Sequence, residues 1–341
     1  FGGVFKNAYS RHHNLADATR EIFNTLFGKF GLVVLDGDDS VLKREFVPMM
    51  IQELTAQTSF SVLSETNTRF QSVGKLQVAP RNINLFYLQD GLRERIDRAE
   101  NGDWTVLNTS LVFNQAQLEN ELNHHPERFS PNVILRGIYQ ETILPNILFV
   151  GGGSEVAYWM QLKGLFSHYK VPFPMLVLRN SFMLMDANHE HKMKELDIHD
   201  ADLFKEETSL ANELVQRWAG AELTLKTEEH ESRELFSQLR ERVAAIDKTL
   251  IQHVHSLEVD HLKKLETLKK KMLKAERKKQ SIQLQRIWKL KAELFPNNTL
   301  QERVDNFMPY YAQYGPSFID VIVKHSLALE QRFGVIVMGK G

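Results

Sequence analysis

The chain has 341 residues, of which 43% are hydrophobic and 25% charged, and its formal net charge is −1. This length can bury a sizeable core in about two domains, and the balanced charge gives no general attraction to nucleic acids or membranes. The absence of cysteine excludes disulfides, a catalytic thiol and thiolate metal sites, and it leaves the cytoplasm as the expected compartment. No apolar run reaches the roughly 18 residues that a membrane-spanning helix needs. Because the chain starts at Phe1 rather than at a methionine, we expect it to be part of a longer protein.

The first segment alternates helical patterns with apolar runs, as α/β domains do. Residues 16–30 have helical spacing that stops at Gly31, and the apolar run 32–35 then predicts a strand of a parallel sheet. The acidic turn 36–39 has two interpretations. It either caps the following helix or binds magnesium, and we favour the cap.

Between residues 55 and 130 the pattern changes to short strands and turns, which predicts a subdomain inserted in the sheet. Strands are predicted at 84–88, 91–96 and within 104–112, and a helix at 114–123. Helix and strand then alternate again, with a further core strand at 174–179.

The segment 142–162 carries the strongest local signal. Its apolar run 147–150 ends in three glycines, at 151–153, and a helical pattern follows. Glycines admit positive φ and allow a ligand to approach main-chain N–H groups, while a helix N-terminus favours anions. The spacing matches neither the dinucleotide fingerprint nor a P-loop. A plain strand-to-helix turn, with Glu155 in the first helical turn for dipole reasons, is the alternative.

Residues 186–294, which we call the arm, are almost continuously helical. An apolar stripe with steps of three and four predicts a coiled coil whose partner is either the preceding helix, folded back near Asp247, or a second copy of the chain. The stripe consists of Val243, Ile246, Leu250, Val254, Leu257, His261, Leu265, Leu268, Met272 and Ala275.

The second half of the arm is basic and is typical of a solvated helix face. Binding of RNA is the alternative, but no aromatic residues are interspersed among these lysines, so nucleic acid is a disfavoured partner. Pairs of histidines two residues apart, as at 189 and 191, point to different sides of a helix and predict no metal site. The basic residues are Lys263, Lys264, Lys269, Lys270, Lys271, Lys274, Arg277, Lys278 and Lys279.

Four segments, taken in order, resemble the bacillithiol biosynthesis cysteine-adding enzymes. They are LVVLDGDD (32–39), INLFYLQDGLRERI (83–96), LRGIYQETILPNILFVGGGSEVAYWMQLK (135–163) and LFPNNTLQERVDNFMPYYAQYGPSFID (294–320). The resemblance implies an α/β fold: a Rossmann-like core similar to class I synthetases, with connecting-peptide insertions, plus a long α-helical coiled-coil arm that forms a homodimer. Residues 1–185 would belong to the core, with the insertion at about 55–130, and residues 295–341 would return to the core after the arm. Members of this family begin upstream of Phe1, so we expect part of the active site to lie outside this chain.

The resemblance also implies a function, a ligase that adds cysteine to glucosaminyl malate in the last step of bacillithiol biosynthesis. Since a carboxylate and an ammonium do not form an amide at neutral pH without activation, we expect ATP, with Mg²⁺ as a further candidate. The activated species would be an adenylate or an acyl phosphate. The alternative function is a noncatalytic, synthetase-like protein that binds RNA or another partner through the basic arm.

Candidate site residues follow from the same segments. Gly151, Gly152, Gly153 and Ser154 form a turn whose main-chain N–H groups suit an anionic substrate group. Glu155 is the candidate partner of an amine and the candidate catalytic residue.

Three further side chains complete the expected substrate site. Arg136 would counter a carboxylate or phosphate, with Tyr158 and Trp159 as walls. Packing of Arg136 and Trp159 in the core is the alternative.

A nucleotide is expected at the segment 295–303, which follows the arm. It offers an aromatic face, two amides and a cation, namely Phe295, Asn297, Gln301 and Arg303. Anchoring of the arm by Phe295 and Pro296 is the competing interpretation.

Overall fold

A computed structural model describes residues 2–72, 74–219, 223–327 and 329–339. The chain divides into two compact units. The first consists of Phe1–Asn180 with Met308–Arg332, and the second of Ser181–Phe307 with Phe333–Gly341. Every helix in the described ranges is too short or too polar to cross a lipid bilayer.

The first unit begins with five helices: α1 (Gly2–Arg11), α2 (Leu15–Phe27), α3 (Ser40–Arg44), α4 (Val47–Ala56) and α5 (Thr58–Phe70). The predicted end of α2 is confirmed, since a short 3-10 turn leads to Gly31 at φ +84°. The predicted cap is confirmed too, because the Asp39 carboxylate accepts hydrogen bonds from the N–H groups of Val41 and Leu42. The strand predicted at 32–35 is wrong. No strand in the described ranges pairs with this run, and Val33 is 74% exposed.

The inserted region forms a five-stranded antiparallel sheet in the order β4-β3-β2-β1-β5. Its strands are β1 (Leu85–Gln89), β2 (Leu92–Arg98), β3 (Trp104–Val106), β4 (Val112–Phe113) and β5 (Phe129–Pro131), with helix α6 at Gln115–His124. The predicted short strands are therefore confirmed. Buried Tyr87, Ile96 and Trp104 face the core of the unit, and the Trp104 indole N–H donates to the Leu54 carbonyl at 3.0 Å.

The predicted helix, strand, glycine turn and helix follow as α7 (Val133–Ile143), β6 (Leu148–Gly151) and α8 (Gly153–Tyr169), with β7 at Met175–Leu178. Strands β6 and β7 are parallel, and Leu148 pairs with Met175 while Gly151 pairs with Leu178.

The second unit contains a parallel strand pair and the arm helices. Its elements are β8 (Ser181–Asp186), α9 (Ala187–Glu195), α10 (Glu207–Ala219), α11 (Lys226–Ile246), α12 (Leu250–Lys279), α13 (Ser281–Leu294) and β9 (Phe333–Met338). Two helices between α13 and β9, α14 (Met308–Tyr314) and α15 (Pro316–His325), belong to the first unit. The predicted terminal strand β9 pairs with β8. Strand β8 is not predicted by the sequence pattern, and its residues directly precede the predicted helical region.

Helices α11 and α12 form an antiparallel hairpin that turns near Asp247. Arg240 forms an ion pair with Glu258, and Ser232 hydrogen-bonds His261 at 3.0 Å, so the pairing residue numbers run in opposite directions along the two helices. The partner helix expected from within the chain is therefore present. The predicted stripe does not lie on one helix, because Val243 and Ile246 belong to α11 and precede the turn. Its part on α12 is only partly covered, since Val254 is buried while Leu257 and Leu268 remain 48% and 46% exposed.

Candidate functional site

The glycine turn joins strand β6 to helix α8. Gly152 is the N-cap residue of α8, with φ −70° and ψ 166°, and its N–H donates to Glu155 Oε2 at 2.8 Å. Glu155 thus caps its own helix. None of the three glycines adopts positive φ. Glycine at 151 is required by packing instead, because a Cβ there would lie 2.5 Å from Cε1 of Phe149.

A cavity of about 640 Å³ is lined by α7, α8, the sheet and the segment before β1. It brings together four of the predicted substrate residues, Arg136, Glu155, Tyr158 and Trp159. The turn residues 151–154 do not line it and contribute by placing Glu155. The full lining is Val78, Ala79, Arg81, Phe86, Arg93, Pro131, Asn132, Val133, Ile134, Arg136, Gly137, Gln140, Phe149, Glu155, Tyr158 and Trp159.

Two cationic residues of this lining, Arg81 and Arg93, were not identified from the sequence. The Arg93 guanidinium lies 3.9 Å from the centre of the Phe86 ring. The burial of β2 alternates, with Leu92 and Ile96 turned inward and Arg93 outward. This alternation is visible in the sequence. The packing of α7 and α8 that closes the cavity over this face of the sheet is not. Arg81 lies outside the regular elements and leaves no periodic signal.

Buried Asn84 organises the cation-bearing side of the cavity. Its Nδ2 donates to Glu53 Oε1 at 2.8 Å, and its Oδ1 accepts from the Arg81 N–H at 3.2 Å and from Asn132 Nδ2 at 2.9 Å. Asn132 in turn caps α7, the helix that carries Arg136. One buried amide therefore links the Arg81 segment to the start of the Arg136 helix, and such satisfied buried networks fix local geometry.

The guanidiniums of Arg81, Arg93 and Arg136 form no ion pair or hydrogen bond with any residue that the structure describes. All three side chains are exposed to solvent. Glu155 is the one carboxylate in the described lining, so positive charge predominates in the cavity.

The two aromatic residues of α8 that line the cavity, Tyr158 and Trp159, differ in role. Trp159 is almost fully buried and stacks on Phe149, with ring centres 3.9 Å apart, while Gly137 allows α7 to approach it closely. Trp159 is therefore both a core residue and a wall. Burial raises the pKa of the Tyr158 hydroxyl, with a smaller contribution from Glu155 and opposing effects of Trp159 and Arg136. Tyr158 thus keeps its proton at neutral pH and can donate a hydrogen bond.

The predicted nucleotide residues lie in the second unit and fall into two pairs. Phe295 is buried edge-on against Phe204, with ring centres 5.0 Å apart, and Gln301 bonds both the N–H and the carbonyl of Leu184, at 2.8 and 3.0 Å. Asn297, at φ +54°, and Arg303 are exposed. The contacts of Phe295 and Gln301 support the anchoring interpretation, whereas the polar groups of Asn297 and Arg303 remain accessible. Nucleotide binding at this segment stays a prediction.

The histidine at 189 is engaged by carboxylates. Its Nδ1 lies 2.7 Å from Asp186 Oδ1, and its Nε2 lies 3.2 Å from Glu293 Oε2. Within the described ranges, no group of three histidine, aspartate or glutamate side chains is placed to hold a metal ion.

Comparison with known proteins identifies the family to which the chain is similar. The model for the N-terminal Rossmann-like domain of bacillithiol biosynthesis BshC matches residues 2–180, and the model for the C-terminal coiled-coil domain of BshC matches residues 182–338. The predicted Rossmann-like core and coiled-coil arm are thereby confirmed.

Curated relatives named "Putative cysteine ligase BshC" match along almost the whole chain. The protein of Flavobacterium johnsoniae is 41% identical over 335 residues, which are 98% of this chain and 63% of the relative. That of Christiangramia forsetii is 39% identical over 338 residues, 99% of this chain and 63% of the relative. This chain therefore spans somewhat less than two thirds of the length of these relatives. On the match of both domain models, the chain belongs to the BshC family of bacillithiol biosynthesis proteins.

Proposed function

We propose that this chain acts in a ligase that joins the carboxyl group of cysteine to the amine of glucosaminyl malate, the last step of bacillithiol biosynthesis. The observation that carries the proposal is the continuous match of both BshC domain models along the chain. The names of the relatives support cysteine ligation. The lining of the cavity supports a small substrate that carries several charged groups.

The reaction needs an activated carboxyl group. ATP would convert the cysteine carboxylate either to an adenylate, releasing pyrophosphate, or to an acyl phosphate, releasing ADP. The amine then attacks the carbonyl carbon, and AMP or phosphate leaves. Mg²⁺ would balance the charge of the phosphates.

The cavity residues would bind and orient the amine-bearing substrate. Glu155 Oε2 is bonded to the Gly152 N–H, which leaves its other oxygen to accept a hydrogen bond from the ammonium and to receive the proton that the attacking amine loses. Arg136 would bind a carboxylate. Tyr158 would donate a hydrogen bond from its protonated hydroxyl, and Trp159 would exclude water on one side.

For the nucleotide, we propose the accessible half of the segment 295–303. Arg303 would pair with phosphate oxygens and Asn297 with a ribose hydroxyl or a base edge. Phe295 and Gln301 would hold the segment in place through the contacts to Phe204 and Leu184. We propose the cytoplasm as the compartment, and cysteine, glucosaminyl malate and ATP rather than nucleic acid as the partners.

A homodimer through the hairpin is part of the proposal. Leu257 and Leu268 are exposed on the apolar stripe of α12, and a second hairpin would cover them. Leu257→Glu with Leu268→Glu should convert the dimer to a monomer in multi-angle light scattering. Because both side chains are half exposed within one chain, the hairpin itself should stay folded by circular dichroism.

The matched control for this experiment is Ser256→Glu with Thr267→Glu, which adds the same charge one residue away on the exposed surface of α12. This variant should stay dimeric. A wild-type protein that is already monomeric at micromolar concentration would contradict the dimer.

The ligase is tested by mass spectrometry of bacillithiol formed from cysteine, glucosaminyl malate and ATP. This chain would replace the matching region of the Flavobacterium johnsoniae relative, so that the remaining third of that protein is present. We expect bacillithiol to form in amounts that depend on all three substrates. A folded chimaera that forms none, beside an active unmodified relative, would overturn the proposal. Salt-sensitive tRNA binding by the same chimaera would then favour the RNA-binding alternative.

A further inference from the structure

We propose that Arg81, Arg93 and Arg136 together form a receptor for a dicarboxylate group. The inference rests on the proposed function in one respect, since the ligand that would carry this group is the malyl part of the amine substrate. The receptor itself follows from the cavity and can be tested without the ligase reaction.

The first support is the unbalanced charge of the cavity. Its lining carries three guanidiniums and one carboxylate, and the three cations have no ion-pair partner among the described residues. Elsewhere in the unit, arginines do pair, as Arg128 does with Glu121 at 2.6 Å. Like charges that line one concave surface repel each other, and a bound anion removes that repulsion.

The second support concerns the chemistry of the anion. Phosphate sites commonly use the N–H groups at a helix N-terminus, but the N-termini of α7 and α8 offer few such groups to the cavity. The glycine turn that opens α8 does not line it, and at the start of α7 the Asn132 side chain already accepts hydrogen bonds from the N–H groups of Ile134 and Leu135. The free donors are thus the guanidiniums, whose planar fork of N–H groups matches a carboxylate.

The third support is the distribution of these donors. Arg81 lies in the segment before β1, Arg93 on β2 and Arg136 on α7. Donors on three different elements suit two separate carboxylates better than one compact anion. The aromatic side chains of Phe86 and Trp159 offer apolar surface for the carbon chain between them.

The charges of the cavity also match those of the proposed amine substrate group by group. Glucosaminyl malate has two carboxylates and one ammonium. The cavity offers three guanidiniums for the carboxylates and Glu155 for the ammonium. Arg93, held against the Phe86 ring, is pre-positioned and would lose little side-chain freedom on binding.

The test is calorimetric titration of the 341-residue chain with three probes: L-malate, L-lactate, which keeps the hydroxyl but has one carboxylate, and inorganic phosphate. We expect malate to bind at least tenfold more tightly than either of the other two. Arg81→Met, Arg93→Met and Arg136→Met should each weaken malate binding roughly tenfold, because each removes a charge-assisted contact. Methionine keeps much of the apolar stem of arginine, so each variant removes the charge with little loss of side-chain volume.

The matched control is Arg95→Met. Arg95 lies on the same exposed face of β2 as Arg93 but does not line this cavity, so malate affinity should change less than twofold. Equal binding of malate and lactate, tighter binding of phosphate, or an equal loss in Arg95→Met would each overturn the assignment. The comparison of probes on the wild-type chain decides the matter even if a variant fails to fold.

The two proposals can fail separately. Malate binding in the wild-type chain together with an inactive, folded chimaera would keep the dicarboxylate receptor and remove the ligase. Bacillithiol formation without malate binding would keep the ligase and remove the receptor. In an active chimaera, the three arginine variants should raise the KM for glucosaminyl malate and leave that for cysteine unchanged.

Discussion

The cavity of the first unit and the segment 295–303 of the second unit both contain polar side chains that could bind a ligand. The two sets differ in whether their polar groups are already bonded within the protein. In the cavity, the guanidiniums of Arg81, Arg93 and Arg136 have no hydrogen-bond or ion-pair partner among the described residues. In the segment, both polar groups of the Gln301 amide are already bonded to Leu184. The type of a side chain determines which groups it can bind. The tertiary structure determines whether its donors and acceptors are already bonded within the protein. Four predictions test this difference.

The largest effect is expected for Gln301→Leu. Gln301 is 6% exposed, and its replacement leaves the N–H and the carbonyl of Leu184 without their partners. Each unsatisfied buried group costs about 1–3 kcal/mol, so the free energy of unfolding should fall by roughly 2–5 kcal/mol in urea denaturation. Arg303→Ala, two residues away and 55% exposed at its side chain, serves as the control with little change expected. A stability loss no larger for Gln301→Leu than for Arg303→Ala would show that the amide is free for a ligand.

The second prediction concerns the accessible half of the same segment. Arg303→Ala should weaken ADP binding by about tenfold or more, because a charge-assisted contact contributes roughly 1.5–3 kcal/mol. Calorimetry with ADP measures this directly. The Glu302 carboxylate lies 3.8 Å from Arg303 Nε, and it is the contact that a phosphate oxygen would replace. Unchanged ADP affinity in a folded variant would remove the nucleotide from this segment.

Periodic patterns in the sequence predicted much of the fold. The long helix α12, the strand β2 and the helix stop at Gly31 each depend on residues close in sequence, and the structure confirms all three. The run 32–35 was misread because strand formation requires a neighbouring strand, which local sequence does not reveal. Of the residues that line the cavity, Arg136 and Glu155 lie in the segment 135–163, which carries part of the family resemblance. Arg81 and Arg93 reach the same cavity only through the packing of the sheet against α7 and α8.

A third prediction separates two adjacent glycines of the turn that positions Glu155. An added Cβ at Gly151 would lie 2.5 Å from the Phe149 ring and 3.1 Å from Cβ of Glu155, whereas at Gly152 it would meet only ordinary contacts. Gly151→Ala should therefore destabilise the protein by about 1–3 kcal/mol and lower malate affinity, since Phe149 also lines the cavity. Gly152→Ala should change stability by less than about 0.5 kcal/mol. Thermal unfolding of the two variants side by side provides the measurement, and equal losses would contradict the packing argument.

The smallest effect on stability, and the most specific effect on ligands, is expected for Glu155→Gln. The glutamine oxygen can still accept the hydrogen bond of the Gly152 N–H, so the cap survives and only the negative charge is lost. An exposed charge pair contributes up to about 1 kcal/mol, so the KM for glucosaminyl malate should rise roughly threefold to fivefold in the active chimaera. Its kcat should fall by about a hundredfold or more, because the amide cannot take up the proton that the attacking amine loses. Malate has no ammonium, and removal of the one anion in the described lining should leave its affinity unchanged or increase it. The affinity for glucosaminyl malate should thus fall while that for malate does not. If malate affinity falls together with that for glucosaminyl malate, Glu155 acts only on the shape of the turn, and the ammonium is held elsewhere.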